Sequence, residues 1–396
     1  MQAPSPSAYT LFRDDRAQKS LLFTQPVEIV VARRADEILP ALARLEAARR
    51  AGFWLAGYIS YEAGHIFEEK LRHLIVADRE TPLICMGLFE RPATPDHPLA
   101  APPDGTMAED EAAPFLTEPR AAWDFPAYRT RFDILHRHLR QGDCYQANLT
   151  MPIAARFRGD PRRAFWSLVE RQPVRYGALI DLEAEHGGPI ILSRSPELFF
   201  KVDAARMIET HPMKGTAPRG TDSADDEAII AAMLSDEKTQ AENRMIVDLL
   251  RNDISRITEV GTLSVPKLFA IETYPTVHQM VSHVQAKLRA EIGLPEILEA
   301  LFPCGSVTGA PKMWAMQILG RLETGPRDVY CGAIGWCDPA GPMRFSVAIR
   351  TLTLFKTGNA VFNVGGGIVF DSKAETEYEE CLLKARFAVN RQRISC

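Results

Sequence analysis

CYQANLTMPIAARF, residues 144–157, is the stretch whose reading sets the fold class. It reads as one long strand carrying Gln146, and the two apolar runs that follow, Ala178 to Asp181 and Pro189 to Leu192, read as a hairpin leading into Ser193-Arg194-Ser195-Pro196-Glu197. Strands joined by hairpins and followed by helices point to an α+β fold built on an antiparallel sheet. Just upstream, Asp124 is placed to cap a helix with Pro126 in its first turn. Tyr128, Phe132, Leu135 and Leu139 form its apolar stripe, and Gly142 ends it. His136 and His138 lie two residues apart on that helix, on different faces, and make a poor metal pair.

Further towards the amino terminus, Val27 to Val31 reads as a strand, Ala35 to Arg50 as a helix stopped at Gly52, and Phe53 to Tyr61 as a second strand. Arg91 to Arg120 is rich in proline and alanine, contains Glu109-Asp110-Glu111, and reads as an exposed connector. This divides the chain into an amino-terminal region, 1–120, ending in a connector at 91–120, and a larger region, 121–396. No repeat of fixed period is visible.

Composition excludes several classes. A formal net charge of −5 argues against a protein that holds nucleic acid on a broad basic surface. Seven scattered cysteines (85, 144, 304, 331, 337, 381 and 396), without a C-x-x-C pair, indicate neither a disulfide framework nor a zinc module, and fit a reducing cytoplasm. The first residues lack the apolar core of a signal peptide, and no run has the length of a membrane span, so no membrane partner is expected.

The chemistry is concentrated further along. In HPMKGTAPRG, residues 211–220, Pro212 stiffens the backbone before Lys214 and Gly215 leaves open space beside it. That setting suits a nucleophile, which a lysine becomes only when burial or nearby positive charge lowers its pKa. A solvated loop lysine is the competing reading. In the helical region Asp225 to Thr258, Glu242 shares a face with Met245, Ile246 and Leu249, so its carboxylate needs a salt-bridge partner or a cation. In the last helix, Lys373 to Arg391, Glu377, Glu380 and Lys384 share a face, although Glu380 with Lys384 is also what an ordinary surface ion pair looks like. Two glycine-rich turns separate these helices. FPCGSVTGAPK, 302–312, leads into a helix that can start at Pro311, but its spacing is wrong for a nucleotide phosphate loop. NVGGGIV, 363–369, interrupts a strand and allows close approach to the backbone.

Taken in order, SRSPELFF, HPMKGTAPRG, AENRMIVDLLRND, FPCGSVTGAPK, VYCGAIGW, FSVAIRT and GGGIVFDSKAETEYEECLLKA resemble the chorismate-utilising enzymes, from about residue 122 to the carboxyl end. The resemblance implies an antiparallel β-sandwich flanked by helices, with chorismate as substrate. Lys214 stands where the branch that aminates C4 of chorismate carries its lysine, whereas the anthranilate-forming branch has alanine. The implied reaction converts chorismate and ammonia to 4-amino-4-deoxychorismate, a precursor of p-aminobenzoate and folate, through a covalent bond from Lys214 to C2. Glu197 falls at the general acid. Glu242 and Glu380 fall at direct Mg²⁺ ligands and Glu377 at a ligand acting through water. The residue three before Glu242, usually acidic in the family, is Thr239. Lys384 and Arg350 resemble groups facing substrate carboxylates, with Tyr330, Gly215, Thr216, Gly365 and Gly367 as further substrate contacts. Gln146 replaces the lysine base of the water-adding relatives, which argues against isochorismate synthesis. His278 and Gln279 lie near the family site and receive no role. The nearest match to the segment associated with tryptophan feedback is Leu21-Leu22-Phe23-Thr24. No glutamine amidotransferase segment is recognisable, so use of glutamine implies a separate amidotransferase subunit. The alternatives are an anthranilate synthase component and a noncatalytic chorismate-binding subunit.

Overall fold

The computed structural model describes residues 8–77, 79–104, 115–182, 188–274, 277–389 and 394–395. Its strands form a nine-stranded and a ten-stranded sheet, and neighbouring strands in both pair antiparallel. Side-chain alternation then sorts the layers. In strand Gln146–Phe157, Ala147, Leu149, Met151, Ile153 and Ala155 join a core that also holds Tyr128, Phe132, Leu135 and Leu139 of helix Phe125–Gln141 and Tyr378, Cys381 and Ala385 of helix Ala374–Val389. Their neighbours Gln146, Asn148 and Thr150 therefore face away from those helices.

The opposite faces of the two sheets meet in a second core. Phe12, Phe23, Ala178, Ile180 and Ile191 of the nine-stranded sheet pack there with Ala56, Tyr58, Cys85, Phe89 and Ile334 of the ten-stranded sheet. Helices Ala35–Arg50, Glu237–Ser255 and Leu294–Leu301 cover the outer face of the ten-stranded sheet through a third core. The result is a helix, sheet, sheet, helix sandwich, the α+β architecture expected.

Residues 1–120 do not build a sheet of their own. Tyr9–Asp14 pairs onto Tyr176–Asp181 and Lys19–Thr24 onto Tyr9–Asp14, extending the nine-stranded sheet, while Trp54–Ile59 pairs onto Ala333–Cys337 and Ile84–Phe89 and then Glu28–Ala32 follow it to complete the ten-stranded sheet. The division expected at residue 120 therefore runs through shared sheets. The expected connector also ends in structure: Leu116–Ala121 pairs with Gln146–Phe157, and Pro98–Ala100 forms a short 3₁₀ turn. Glu109, Asp110 and Glu111 lie outside the described residues. The helical region 225–258 is two helices, Ser223–Ser235 and Glu237–Ser255, broken where Asp236 leaves helical geometry and accepts from the backbone N–H of Lys238.

Two crossings between the sheets organise the centre. The chain leaves the nine-stranded sheet after Ile190–Ser195 and enters the ten-stranded sheet at Leu198–Val202, and it returns between Met343–Val347 and Thr351–Leu354. The crossings are laced together. Ser195 Oγ donates to the Val347 carbonyl at 2.5 Å, the Val347 N–H donates to the Glu197 carbonyl at 3.1 Å, and the Arg194 N–H donates to the Arg350 carbonyl at 2.9 Å.

Candidate functional site

Glu197 sits on the first crossing and is 5% exposed, with Oε1 lacking a hydrogen-bond partner. Burial raises its pKa to about 7, against the opposing pull of the Ser306 hydroxyl and of Lys214. Ser306 belongs to the turn Gly305–Val307. It was missed at the sequence level because only the glycines and lysine of FPCGSVTGAPK invited a phosphate comparison. Lys312 of that motif is engaged structurally, donating to Asp253 at 2.7 Å and to the Leu301 carbonyl at 3.1 Å.

Lys214 lies in the edge strand Met213–Pro218, whose register on Val277–Lys287 slips between Met213 and Thr216. Gly215 makes that irregularity possible, with φ of +80° and a Thr239 methyl 2.4 Å from where a Cβ would stand. The half-buried Lys214 amine has its pKa pushed down, first by burial and then by Lys384, while Glu242, Glu197 and Glu380 pull it back up. Among the described residues it has no salt-bridge partner. The solvated-loop reading of this lysine therefore does not hold.

The glycine triplet in strand Asn359–Val369 opens both of its faces. A Cβ on Gly367 would stand 3.0 Å from Lys214 Nζ and 3.0 Å from Gln146 Nε2, so a side chain there would press on the amine and the amide and narrow the space between them. Gln146 is 0% exposed, and neither amide atom has a hydrogen-bond partner. On the other face, a Cβ on Gly366 would stand 3.0 Å from Glu377 Oε2 and 4.0 Å from Lys384 Nζ. Gly365, paired with Thr150, packs against the Leu149 carbonyl. Lys384 donates to the Gly365 carbonyl at 2.8 Å and pairs with Glu380 at 2.7 Å.

The structure thus gathers Lys214, Glu197, Gln146, Gly367, Glu242, Glu377, Glu380 and Lys384 from segments far apart in sequence. The remaining expected residues are placed less centrally. Thr216 is exposed and paired with Gln279, and Tyr330 is buried, its hydroxyl pKa raised first by burial and then by Cys331. Arg350 has its pKa lowered by burial and feels Tyr274. His278 is occupied, contacting Asp226 at 2.7 Å and Thr273 Oγ1 at 3.0 Å. A groove of about 600 Å³ between helices Ala35–Arg50 and Leu294–Leu301 contains none of these groups.

Glu242, Glu377 and Glu380 offer only carboxylate oxygens, the donor type Mg²⁺ takes, yet their oxygens do not all lie within 4.8 Å of one another. Glu377 hydrogen-bonds Ser372 at 2.7 Å, and its pKa is raised first by burial and then by Glu380, so positive charge is favoured beside it. The set suits an ion that keeps several of its waters.

A buried acid on the first crossing and a lysine whose pKa is pushed down, with the carboxylates of Glu242, Glu377 and Glu380 around them, form the candidate site. The chain belongs to the family of chorismate binding enzymes, whose model matches residues 7–390. It is 38% identical over 339 residues to aminodeoxychorismate synthase component 1 of Klebsiella aerogenes, covering 82% of this chain and 74% of that one. It is 39% identical over 284 residues to aminodeoxychorismate synthase of Streptomyces pristinaespiralis, covering 72% of this chain and spanning 39% of that protein's length. The crystal structure of anthranilate synthase component I from Streptococcus pneumoniae TIGR4 superposes with a TM-score of 0.78 at 25% identity, covering 98% of this chain and 93% of that one.

Proposed function

We propose that this chain is an aminodeoxychorismate synthase that aminates chorismate at C4 through a covalent Lys214 intermediate. The observation that carries this reading is the pairing of a lysine whose pKa is driven down with a buried glutamate whose pKa is driven up to about 7. A shared dry site makes the neutral acid and the neutral amine mutually compatible. In the proposed step, the Lys214 lone pair forms a bond to C2 as the ring double bond shifts and the C4–O bond breaks. Glu197 supplies the proton with which the hydroxyl leaves as water. Ammonia then bonds to C4 and passes one proton to the Glu197 carboxylate, the electrons shift back, and the C2–N bond to Lys214 breaks with its electron pair returning to the amine, leaving 4-amino-4-deoxychorismate and both side chains as they began. Gln146, neutral and with free amide valences, can hold a polar substrate atom without acting as a base. Gly367 keeps the space between Gln146 and Lys214 open to the ring.

Glu242, Glu377 and Glu380 would hold Mg²⁺, and Lys384, now on Glu380, would turn to a substrate carboxylate. When bound, the ion neutralises these carboxylates and fixes the ring carboxylate of the substrate. Ammonia from glutamine would come from a separate amidotransferase subunit, a reading supported by the "component 1" in the name of the Klebsiella relative. Among the described residues, no helix is long and apolar enough to cross a membrane.

The test is incubation with chorismate, Mg²⁺ and an ammonium salt, with the product identified by mass and ultraviolet spectrum. 4-Amino-4-deoxychorismate is expected; anthranilate as the main product, or saturable chorismate binding without turnover, would overturn the proposal.

A further inference from the structure

A second cluster of ligating groups lies outside the amination site. Glu209 of strand Met207–Thr210, His211 just after it, and His283 of strand Val277–Lys287 bring their ligand atoms within 4.8 Å of one another. The two imidazoles stack with centroids 3.8 Å apart and planes 14° apart. His211 Nε2 contacts Glu209 Oε1, and His283 Nδ1 lies 3.5 Å from the same oxygen. The other Glu209 oxygen takes the Lys201 ammonium at 2.6 Å. Ser282 donates to Asn243 of helix Glu237–Ser255, so alternation puts His283 on the opposite face of the strand, turned away from the helix that carries Glu242. The proposed amination uses none of these side chains.

Two face-to-face imidazoles cannot both be imidazolium cations without mutual repulsion. Burial first, and then His211, pushes His283 down to about 4, which leaves its ring neutral with a lone pair to give. Two imidazoles with one carboxylate form a nitrogen-rich donor set, unlike the all-oxygen set of Glu242, Glu377 and Glu380.

We propose that Glu209, His211 and His283 form a second metal site, selective for an imidazole-preferring divalent ion such as Zn²⁺. Binding requires small ring rotations that bring both nitrogens to about 2.0–2.1 Å from the ion. It also requires Lys201, whose side chain is 43% exposed, to leave Glu209 for solvent. The bound ion would tie His211 to the strand on which Met213 pairs with Val281, bracing the segment that carries Lys214.

The test is a Zn²⁺ titration of the full chain in saturating Mg²⁺, by competition with a chromophoric chelator, with thermal unfolding followed in parallel. One tight equivalent is expected, weakened at least roughly tenfold in His283→Ala and Glu209→Gln. Lys201→Ala should instead bind several-fold more tightly, because the competing ammonium is gone, a change that a purely structural ion-pair network would not produce. Zn²⁺ should raise the unfolding midpoint of the wild type and not that of His283→Ala. Equal affinity in the wild type, His283→Ala and Lys201→Ala would overturn the proposal. Should His283→Ala fail to fold, an unchanged affinity in Lys201→Ala suffices to do so.

Discussion

At the residue scale, burial shifts two neighbouring groups in opposite directions, the Lys214 amine down and the Glu197 carboxyl up. With Glu197 as the proposed general acid, kcat/KM is expected to fall as pH rises through about 7, where its carboxyl ionises. Glu197→Gln should abolish that alkaline limb and lower the rate by about 10²–10⁴-fold, read from a pH–rate profile. A matching stability signature is expected. The folded-state pKa lies above the ordinary value of 4.5, so the folded protein bears a desolvation penalty above pH 7 that vanishes below about pH 4.5. Glu197→Gln should therefore be more stable than the wild type at pH 8, by up to about 3 kcal/mol, with the gain shrinking as pH falls through that window. Denaturant unfolding at several pH values checks this. The sequence made Glu197 a candidate only through the ordered motifs, whereas Pro212 and Gly215 already marked Lys214 as a nucleophile, with a solvated loop lysine as the competing reading. The burial of both depends on a sheet crossing and a neighbouring glycine strand that no local pattern discloses.

At the element scale, local periodicity found most secondary structure. Helix Ala35–Arg50 and the Asp124-capped helix closing at Gly142 appear where they were read, because caps and stripes are local. Strand Gln146–Phe157 begins two residues later than its reading from Cys144. What the pattern could not disclose was partnership. The GGG triplet allowed close approach to the backbone without disclosing to what, and only the register with Asn148 to Thr150 shows Gly367 facing Lys214 and Gly366 facing Glu377. Gly367→Ala should fold normally yet lower kcat/KM by about tenfold or more, since the added methyl makes the amine and the Gln146 amide give by a few tenths of an ångström and narrows the space between them. Circular dichroism with steady-state kinetics separates the two effects. Beneath Glu242, Asn243 accepts from Ser282 Oγ at 2.6 Å and Ser282 Oγ accepts from the Phe269 N–H at 3.0 Å. Asn243→Leu should cost about 1–3 kcal/mol of stability by stranding that hydroxyl, measured by urea unfolding.

At the scale of the whole molecule, the amino-terminal third is joined to the rest by buried charge as well as by strands. Arg194, fully buried beside the first crossing, is held by Asp15 and by the Gln172 carbonyl at 2.9 Å, and Asp15 also accepts from the Val174 N–H at 2.7 Å. Glu62 accepts from Arg79 at 2.8 Å and from the Arg327 N–H at 2.6 Å. Composition placed the break at residue 120 because the proline-rich segment is a true change of texture, but pairing over such long sequence separations leaves no local trace. Asp15→Ala should destabilise the fold by about 3–5 kcal/mol by leaving Arg194 buried without its carboxylate, and Asp15→Leu with Arg194→Met should recover part of that loss. Thermal unfolding of the single and double variants checks this.

The measurement closest to the central claim is intact-protein and peptide mass spectrometry after incubation with chorismate and Mg²⁺ but without ammonia. An adduct of chorismate less one water is expected on the peptide containing Lys214, discharged by ammonium and missing in Lys214→Ala. Turnover to the 4-amino product by a Lys214→Ala enzyme, with no adduct at that position in the wild type, would contradict it.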